Sequence, residues 1–258
     1  MGVIAAFAAA VALAASPQQF VASHQLPSGA FAESGGKPDV TLTAWGVLGL
    51  RAARVPADES YLHAHEADLQ TATARALGAL AESHPSEALL DRVAGDPVDG
   101  AVNAAAWKLL ALAQARRPVP RTVVRFLLSH QTRSGGWGWG VGVAPDSNDT
   151  AAVVEALRAG GVTGRPIRRA LAYLKTLQNR DGGFELSAGR GSDAQSTAWS
   201  IQAFIAARRS PGVAPFRYLA RLRRGDGSLR YSVRYAVTPV WVTAQALPAL
   251  ARRAFPLR

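Results

Sequence analysis

The sequence predicts an all-α fold in which helical hairpins repeat around a ring. Alanine is abundant while aromatic residues make up only 7% of the chain, and this favours closely packed helices because alanine has the highest helix propensity. A glutamine–glycine–aromatic pattern recurs, and each copy is followed by a stretch that is almost wholly apolar. A helix that is apolar on all sides is buried, whereas one with a polar face lies at the surface. Repeated pairs of this kind predict a barrel of inner helices inside a barrel of outer helices.

The repeated pattern is Gln-x-x-x-Gly-x-aromatic. A worn copy occupies residues 223–229, and the last three copies begin 47 and 45 residues apart. The first interval of 106 residues corresponds to about two units, which indicates a copy without the motif near residues 83–85. These spacings predict about five hairpins. The intact copies are Gln25, Gly29 and Phe31; Gln131, Gly135 and Trp137; and Gln178, Gly182 and Phe184.

One domain is expected over residues 16–258, built from consecutive outer–inner pairs. Proline is tolerated in the first turn of a helix, and Pro17, Pro166 and Pro211 mark expected starts of outer helices. The repeats are expected near residues 17–54, 57–117, 120–162, 166–209 and 211–254.

The first 15 residues form an apolar run that ends in small residues and is too short to span a bilayer. This pattern predicts a signal peptide cleaved near Ala15, and therefore a secreted or cell-envelope protein. Since no lysine or arginine precedes the run, a buried first helix is the alternative.

The net charge of +11 is concentrated near the C-terminus. Residues 205–258 contain eleven arginines and a single acid, Asp226. This segment predicts either a solvated basic face or a face that contacts an anionic membrane or wall polymer. No nucleic-acid recognition motif accompanies the arginines, so specific nucleic-acid binding is not expected.

The motif on paired helices resembles the α/α toroid of terpenoid cyclases and prenyltransferases, with squalene–hopene cyclases as the nearest type. The resemblance covers residues 17–250 and implies an incomplete α6/α6 barrel with a central cavity. It also implies that each motif glutamine bonds to the backbone of a neighbouring helix while the aromatic residue stacks on it. The motif residues are therefore expected to be structural.

The segment DSNDTA, residues 146–151, resembles the Asp-x-Asp-Asp-Thr-Ala motif with which such cyclases protonate an alkene. The family uses the middle aspartate as the acid, but this chain has Asn148, and an amide is not a Brønsted acid. The resemblance makes Asp149, aided by Asp146, the candidate replacement. The alternative is that these acids only cap the following helix, as Asp193 does in a sister repeat.

Three tryptophans, Trp139, Trp45 and Trp199, are expected to line the mouth of the cavity, with Asp193 as a further candidate ligand contact. Tryptophan faces can stabilise a cation. Ordinary helix packing is the alternative for Trp45 and Trp199, because their position recurs from repeat to repeat.

Several chemistries are excluded or left without support. The chain has no cysteine, which excludes thiol catalysis and the Cys-ligated zinc of protein prenyltransferases. We expect no metal and no cofactor, and His63 and His65 are interpreted as part of a surface helix. Two functions remain: a protein that binds an isoprenoid-like or other small ligand without efficient cyclisation, which is favoured, and a proton-initiated terpenoid cyclase.

Overall fold

The computed structural model describes residues 15–257, so all of the expected signal peptide except Ala15 lies outside the described residues. Within this range the chain forms twelve α-helices, a 3-10 turn at Glu66–Asp68, and a two-stranded ladder of β1 (Phe184–Glu185) and β2 (Ser192–Asp193). None of these helices combines the length and hydropathy needed to cross a membrane. The helices are α1 (Pro17–Ala22), α2 (Val40–Ala52), α3 (Ser60–Ala64), α4 (Ala72–Ala81), α5 (Glu87–Gly95), α6 (Val102–Gln114), α7 (Arg121–Ser129), α8 (Ser147–Ala159), α9 (Arg165–Thr176), α10 (Ala194–Ala206), α11 (Ala214–Leu222) and α12 (Pro239–Leu250).

Helices of the two kinds alternate along the chain. The even-numbered helices form a closed inner ring in which each packs against the next and α12 packs against α2. Their residues are mostly buried, whereas outer helices such as α7 bury only one face, through Val123 and Leu127. This confirms the predicted all-α toroid of outer and inner helices.

Residues 15–257 contain six hairpins rather than the expected five, so the ring is complete. The expected repeat 57–117 holds two pairs, α3 with α4 and α5 with α6. Residues 83–85, where a copy without the motif was expected, instead connect inner helix α4 to outer helix α5, at the opposite end of the ring. The motif lies in turns that join an outer helix to its inner partner, and the two such turns without it are those at 65–71 and 96–101. The other four expected repeats each contain one pair. Pro211 lies before α11, and Pro215 occupies the first turn.

The motif glutamines link neighbouring repeats. Gln131 Nε2 donates to the Gly135 carbonyl at 2.8 Å and to the Pro166 carbonyl of α9 at 2.9 Å. Gln25 makes the same pair of bonds, reaching the carbonyl of Asp58 at 2.7 Å. In the third copy the glutamine bonds within its own turn, and Lys175 reaches the next repeat instead.

A buried threonine holds each motif against its inner helix. The hydroxyl of this threonine accepts the backbone N–H of the aromatic residue at 2.9 Å in all three intact copies, and the worn copy makes the same bond to Leu229. In the three intact copies this threonine lies four residues after the N-cap aspartate, in the worn copy it lies five residues after the N-cap Thr238, and all four threonines are fully buried. The four are Thr43, Thr150, Thr197 and Thr243.

The worn copy closes the outer ring onto the first helix. Gly227 has a φ of +90° and lies so close to α1 that an added Cβ would be 2.6 Å from the Ser16 carbonyl oxygen. Arg223, in the place of the motif glutamine, donates to the Ala15 carbonyl at 2.7 Å. The inner ring closes where Gly49 of α2 meets Ala244 of α12, at a separation that leaves no room for a side chain.

Candidate functional site

A cavity of about 410 Å³ lies at the centre of the inner ring. All six inner helices contribute to it through two residues spaced four apart, because positions i and i+4 lie on the same face of a helix. Leu186, Asp146 and Asp149 complete the lining. The six pairs are Thr41 and Trp45, Thr73 and Leu77, Asn103 and Trp107, Asn148 and Ala152, Gln195 and Trp199, and Trp241 and Gln245.

Three tryptophans pack against one another in the cavity. The ring centroids of Trp45, Trp107 and Trp199 are 5.5 to 5.9 Å apart, and their planes meet at 78 to 89°. This edge-to-face arrangement is the favoured packing of aromatic rings. The ring of Phe255, from the C-terminal segment, lies 6.0 and 6.5 Å from two of them. We call the three tryptophans the tryptophan floor.

The C-terminal segment is fixed beside this floor by a buried carboxyl group. Glu155 of α8 is fully buried and accepts the Phe255 N–H at 2.5 Å. Burial raises the pKa of Glu155 well above its usual value, with the Phe255 bond opposing that rise. Gln114 adds a bond to the Leu257 carbonyl at 3.2 Å.

A chain of polar groups runs along one side of the cavity. The Thr73 hydroxyl donates to Asn103 Oδ1 at 3.3 Å, and Asn103 Nδ2 donates to Asp149 Oδ1 at 2.5 Å. Asp149 is only 8% exposed, and its carboxyl group accepts this bond from the Asn103 amide while being largely shielded from bulk water. The bond from Asn103 also fixes how α6 and α8 meet at this point.

The two aspartates play different parts. Asp146 is the N-cap of α8, and its Oδ1 accepts the Asp149 N–H at 2.9 Å. Asp39 and Asp193 cap α2 and α10 in the same way, so the capping expected for Asp146 is present. Burial, followed by the charge of Asp149 and a hydrogen bond between the two carboxyl groups, raises the pKa of Asp146 to about 7. The carboxyl group of Asp146 is therefore partly protonated at neutral pH, and it faces the cavity beside the carboxyl group of Asp149.

Asn148 also lines the cavity. Its Oδ1 accepts a bond from Ser147 at 3.2 Å. The amide offers hydrogen bonds to a ligand but no proton. Any acid catalysis at this cavity would therefore depend on Asp146 and Asp149.

The lining carries no positive charge. Among the lining residues of this cavity there is no lysine, arginine or histidine, although the chain as a whole carries +11. The cavity thus combines aromatic faces and carboxyl groups, which attract cations and neutral molecules and disfavour anions. It has no side chain suited to a diphosphate.

Two candidate residues lie away from the cavity. Trp139 was expected at its mouth, but the residue is 62% exposed and is not part of the lining. Its backbone carbonyl accepts the Asn103 N–H at 3.0 Å. Asp193 is buried and bonded to Ser196, and it borders a separate surface hollow with Tyr218.

Sequence reasoning missed several lining residues. Trp107 occupies the same repeat position as Trp45 and Trp199, and that spacing identifies it. Asn103 lies four residues before Trp107, but its bond to Asp149 spans 46 residues and has no local signal. Residues of α4 and α12 were missed because their repeats lack the motif or carry it in worn form.

Comparison with solved structures addresses the fold. The type II terpene cyclase MstE from Scytonema aligns with a TM-score of 0.65, covering 92% of this chain and 95% of that one at 16% identity. This chain has the α/α-toroid fold of type II terpene cyclases. A glycosidase variant aligns with a TM-score of 0.68 over 92% of this chain and 94% of that one at 12% identity. Haptocorrin in complex with Cbi aligns with a TM-score of 0.55 at 13% identity, covering 92% of this chain and 66% of that one.

No family model matches this sequence. No curated protein matches it either. Identities of 12 to 16% establish the shared fold alone, and that fold is shared by a glycosidase, a terpene cyclase and haptocorrin. The function must therefore be argued from the cavity itself.

Proposed function

We propose that this protein binds a small, largely apolar ligand in the central cavity and does not cyclise it efficiently. The observation that carries the proposal is the cavity of about 410 Å³, bordered by the tryptophan floor and a polar side that ends at Asp149. Small-molecule sites have volumes of about 300–1,000 Å³, apolar or aromatic walls and a few placed polar groups. The cavity fits that description near its lower end.

The lining selects the kind of ligand. Aromatic faces favour an isoprenoid-like body, and the amides of Asn103, Asn148 and Gln245 offer hydrogen bonds to a neutral head group. The absence of lysine, arginine and histidine from the lining residues disfavours a diphosphate head group. A neutral isoprenoid alcohol is therefore the better probe.

Calorimetric titration with farnesol and with farnesyl diphosphate tests this proposal. Farnesol is expected to bind saturably and more tightly than the diphosphate. Trp107→Ala should weaken farnesol binding about tenfold or more, a change of about 1.4 kcal/mol. Trp139→Ala is the matched control, because that ring is exposed and outside the cavity. Absence of saturable binding, or equal loss in both variants, would refute the proposal.

Proton-initiated cyclisation is the second candidate, and one observation favours it. The pKa of Asp146 is raised to about 7 by burial and by Asp149, so a carboxyl proton is present at neutral pH where an alkene would lie. Asn148 argues against cyclisation, because it occupies the position of the acid in the cyclase motif that residues 146–151 resemble.

Incubation with squalene, followed by gas chromatography and mass spectrometry, separates the two candidates. The binding function predicts no cyclic product from the wild type. If the cavity has kept a cyclase shape, Asn148→Asp should form product, and Asp149→Asn in that background should abolish it. Cyclic product from the wild type would favour the enzyme instead.

We propose further that the protein is exported and that the arginine-rich segment 205–258 contacts an anionic membrane or wall polymer. The apolar run before Ser16 supports export with cleavage near Ala15. N-terminal sequencing of protein from the extracellular and envelope fractions tests export. Cosedimentation with anionic and neutral vesicles tests the contact, and equal binding to both would count against it.

A further inference from the structure

A cluster of a histidine and two glutamates lies at the outside of the ring, away from the central cavity. His63 comes from α3, Glu66 from the following 3-10 turn, and Glu82 from the end of α4. One ligand-type atom from each lies within 4.8 Å of the other two. The cluster thus joins an outer helix to its inner partner in a repeat that lacks the glutamine motif.

The spacing of these atoms matches a tetrahedral metal site. His63 Nδ1 is 3.4 Å from Glu82 Oε2 and 3.6 Å from Glu66 Oε1. Ligand atoms about 2.1 Å from a tetrahedral zinc ion are about 3.4 Å from one another. The His63 nitrogen already lies near that separation from each of the two carboxylate oxygens, and all three ligand atoms lie within 4.8 Å of one another.

Glu82 is the residue that points to a missing ligand. Its side chain is only 2% exposed, and its Oε1 has no hydrogen-bond partner among the described residues. A buried carboxylate oxygen without a partner is costly. A divalent cation bound by this carboxylate would compensate its buried charge.

The second glutamate is already oriented by its neighbours. Glu66 accepts bonds from the Ser86 hydroxyl and from the Ser86 backbone N–H. Such bonds fix a carboxylate ligand and commonly accompany metal sites. His63 is 66% exposed, which leaves a path for an ion and a position for water as the fourth ligand.

We propose that His63, Glu66 and Glu82 form a binding site for a divalent transition-metal ion of the zinc type, which ties α3 to α4. An imidazole among the ligands favours zinc over calcium or magnesium, which prefer oxygen ligands alone. This differs from the expectation of no metal, while His63 lies on an outer helix as expected. It is independent of the ligand in the central cavity.

The test uses chelator-treated full-length protein and zinc chloride, with binding followed by calorimetry and by the thermal unfolding midpoint. One equivalent of zinc should bind and raise that midpoint, whereas calcium should not. Glu82→Gln should weaken zinc binding at least about tenfold, and it should still fold, because the amide removes a costly buried charge. His63→Ala should have the same effect on zinc.

His65→Ala is the matched control. His65 lies two residues from His63, but its ring stacks on Tyr61 at 3.9 Å and is not part of the cluster. Zinc affinity should be unchanged in this variant. The proposal is overturned if the wild type binds no zinc, or if His65→Ala loses as much affinity as Glu82→Gln. It is also overturned if calcium binds at this site and zinc does not.

Discussion

Replacement of Thr197 by valine tests the bond that fixes each motif to its inner helix. The Thr197 hydroxyl accepts the Phe184 N–H at 2.9 Å and donates to the Asp193 carbonyl at 2.6 Å, in a fully buried position. Valine keeps the shape of the side chain but leaves the Phe184 N–H without this acceptor. An unsatisfied buried donor costs about 1–3 kcal/mol, so the free energy of unfolding should fall by about 2 kcal/mol.

Two controls separate the lost bond from lost packing. Thr197→Ser keeps the hydroxyl and removes one methyl group, which should cost about 1 kcal/mol. Thr176→Val changes an exposed threonine whose hydroxyl bonds within its own helix turn, and should change stability by less than about 0.5 kcal/mol.

Urea denaturation and amide hydrogen exchange measure the effect. The valine variant should lose protection at the Phe184 amide, while the serine variant should retain it. If Thr197→Val is as stable as Thr197→Ser, or if the Phe184 amide stays protected, the threonine bond does not hold the repeat together. Because Thr243 makes the same 2.9 Å bond in the worn copy, the same comparison there should give a similar result.

Three further changes test ring closure, the cavity and the acid pair. Gly49→Ala would place a Cβ 2.6 Å from the Ala244 carbonyl oxygen and should lower the unfolding midpoint. Gly95→Ala is the control, because a Cβ added there would meet no neighbouring group within 4 Å, and the midpoint should stay unchanged or rise. Equal effects of the two changes would argue against close packing where α12 meets α2. Phe255→Ala should lower the free energy of unfolding, measured by urea denaturation, by about 3 kcal/mol, because the ring is buried against the tryptophan floor. A loss below about 1 kcal/mol would mean that neighbouring side chains fill the space left by the ring. Asp146→Asn keeps the helix cap but removes a carboxyl group whose pKa is raised by burial from 3.8 to about 7. Ionising the Asp146 carboxyl group costs more free energy in the folded than in the unfolded state. The free energy of unfolding of the wild type should therefore fall relative to that of this variant as pH rises from about 4 to 7. Parallel pH curves would show that Asp146 is not perturbed.

The features that the sequence predicted are those with short-range causes. The caps at Asp39, Asp146 and Asp193 follow from residue type and from the apolar run after each. The glutamine motif recurs at a readable spacing and predicts the hairpins that contain Gln25, Gln131 and Gln178. The one miscounted region, 57–117, contains short outer helices without that motif.

The lining of the cavity depends on contacts that no local pattern encodes. Trp139 and Trp137 are two residues apart in one turn, yet the first is 62% exposed and the second only 1%. Asn103 meets Asp149 only because α6 and α8 are neighbours in the ring.

The sequence by itself determined the aspartate caps of inner helices and the alternation of outer with inner partners in the repeats that carry the motif, because these depend on propensity and periodicity within a few residues. Tertiary structure decided that six pairs close the ring, which face of each inner helix borders the cavity, and that His63 meets Glu82. Those outcomes depend on how each helix is rotated and how closely its neighbours approach, and packing of the whole ring sets both.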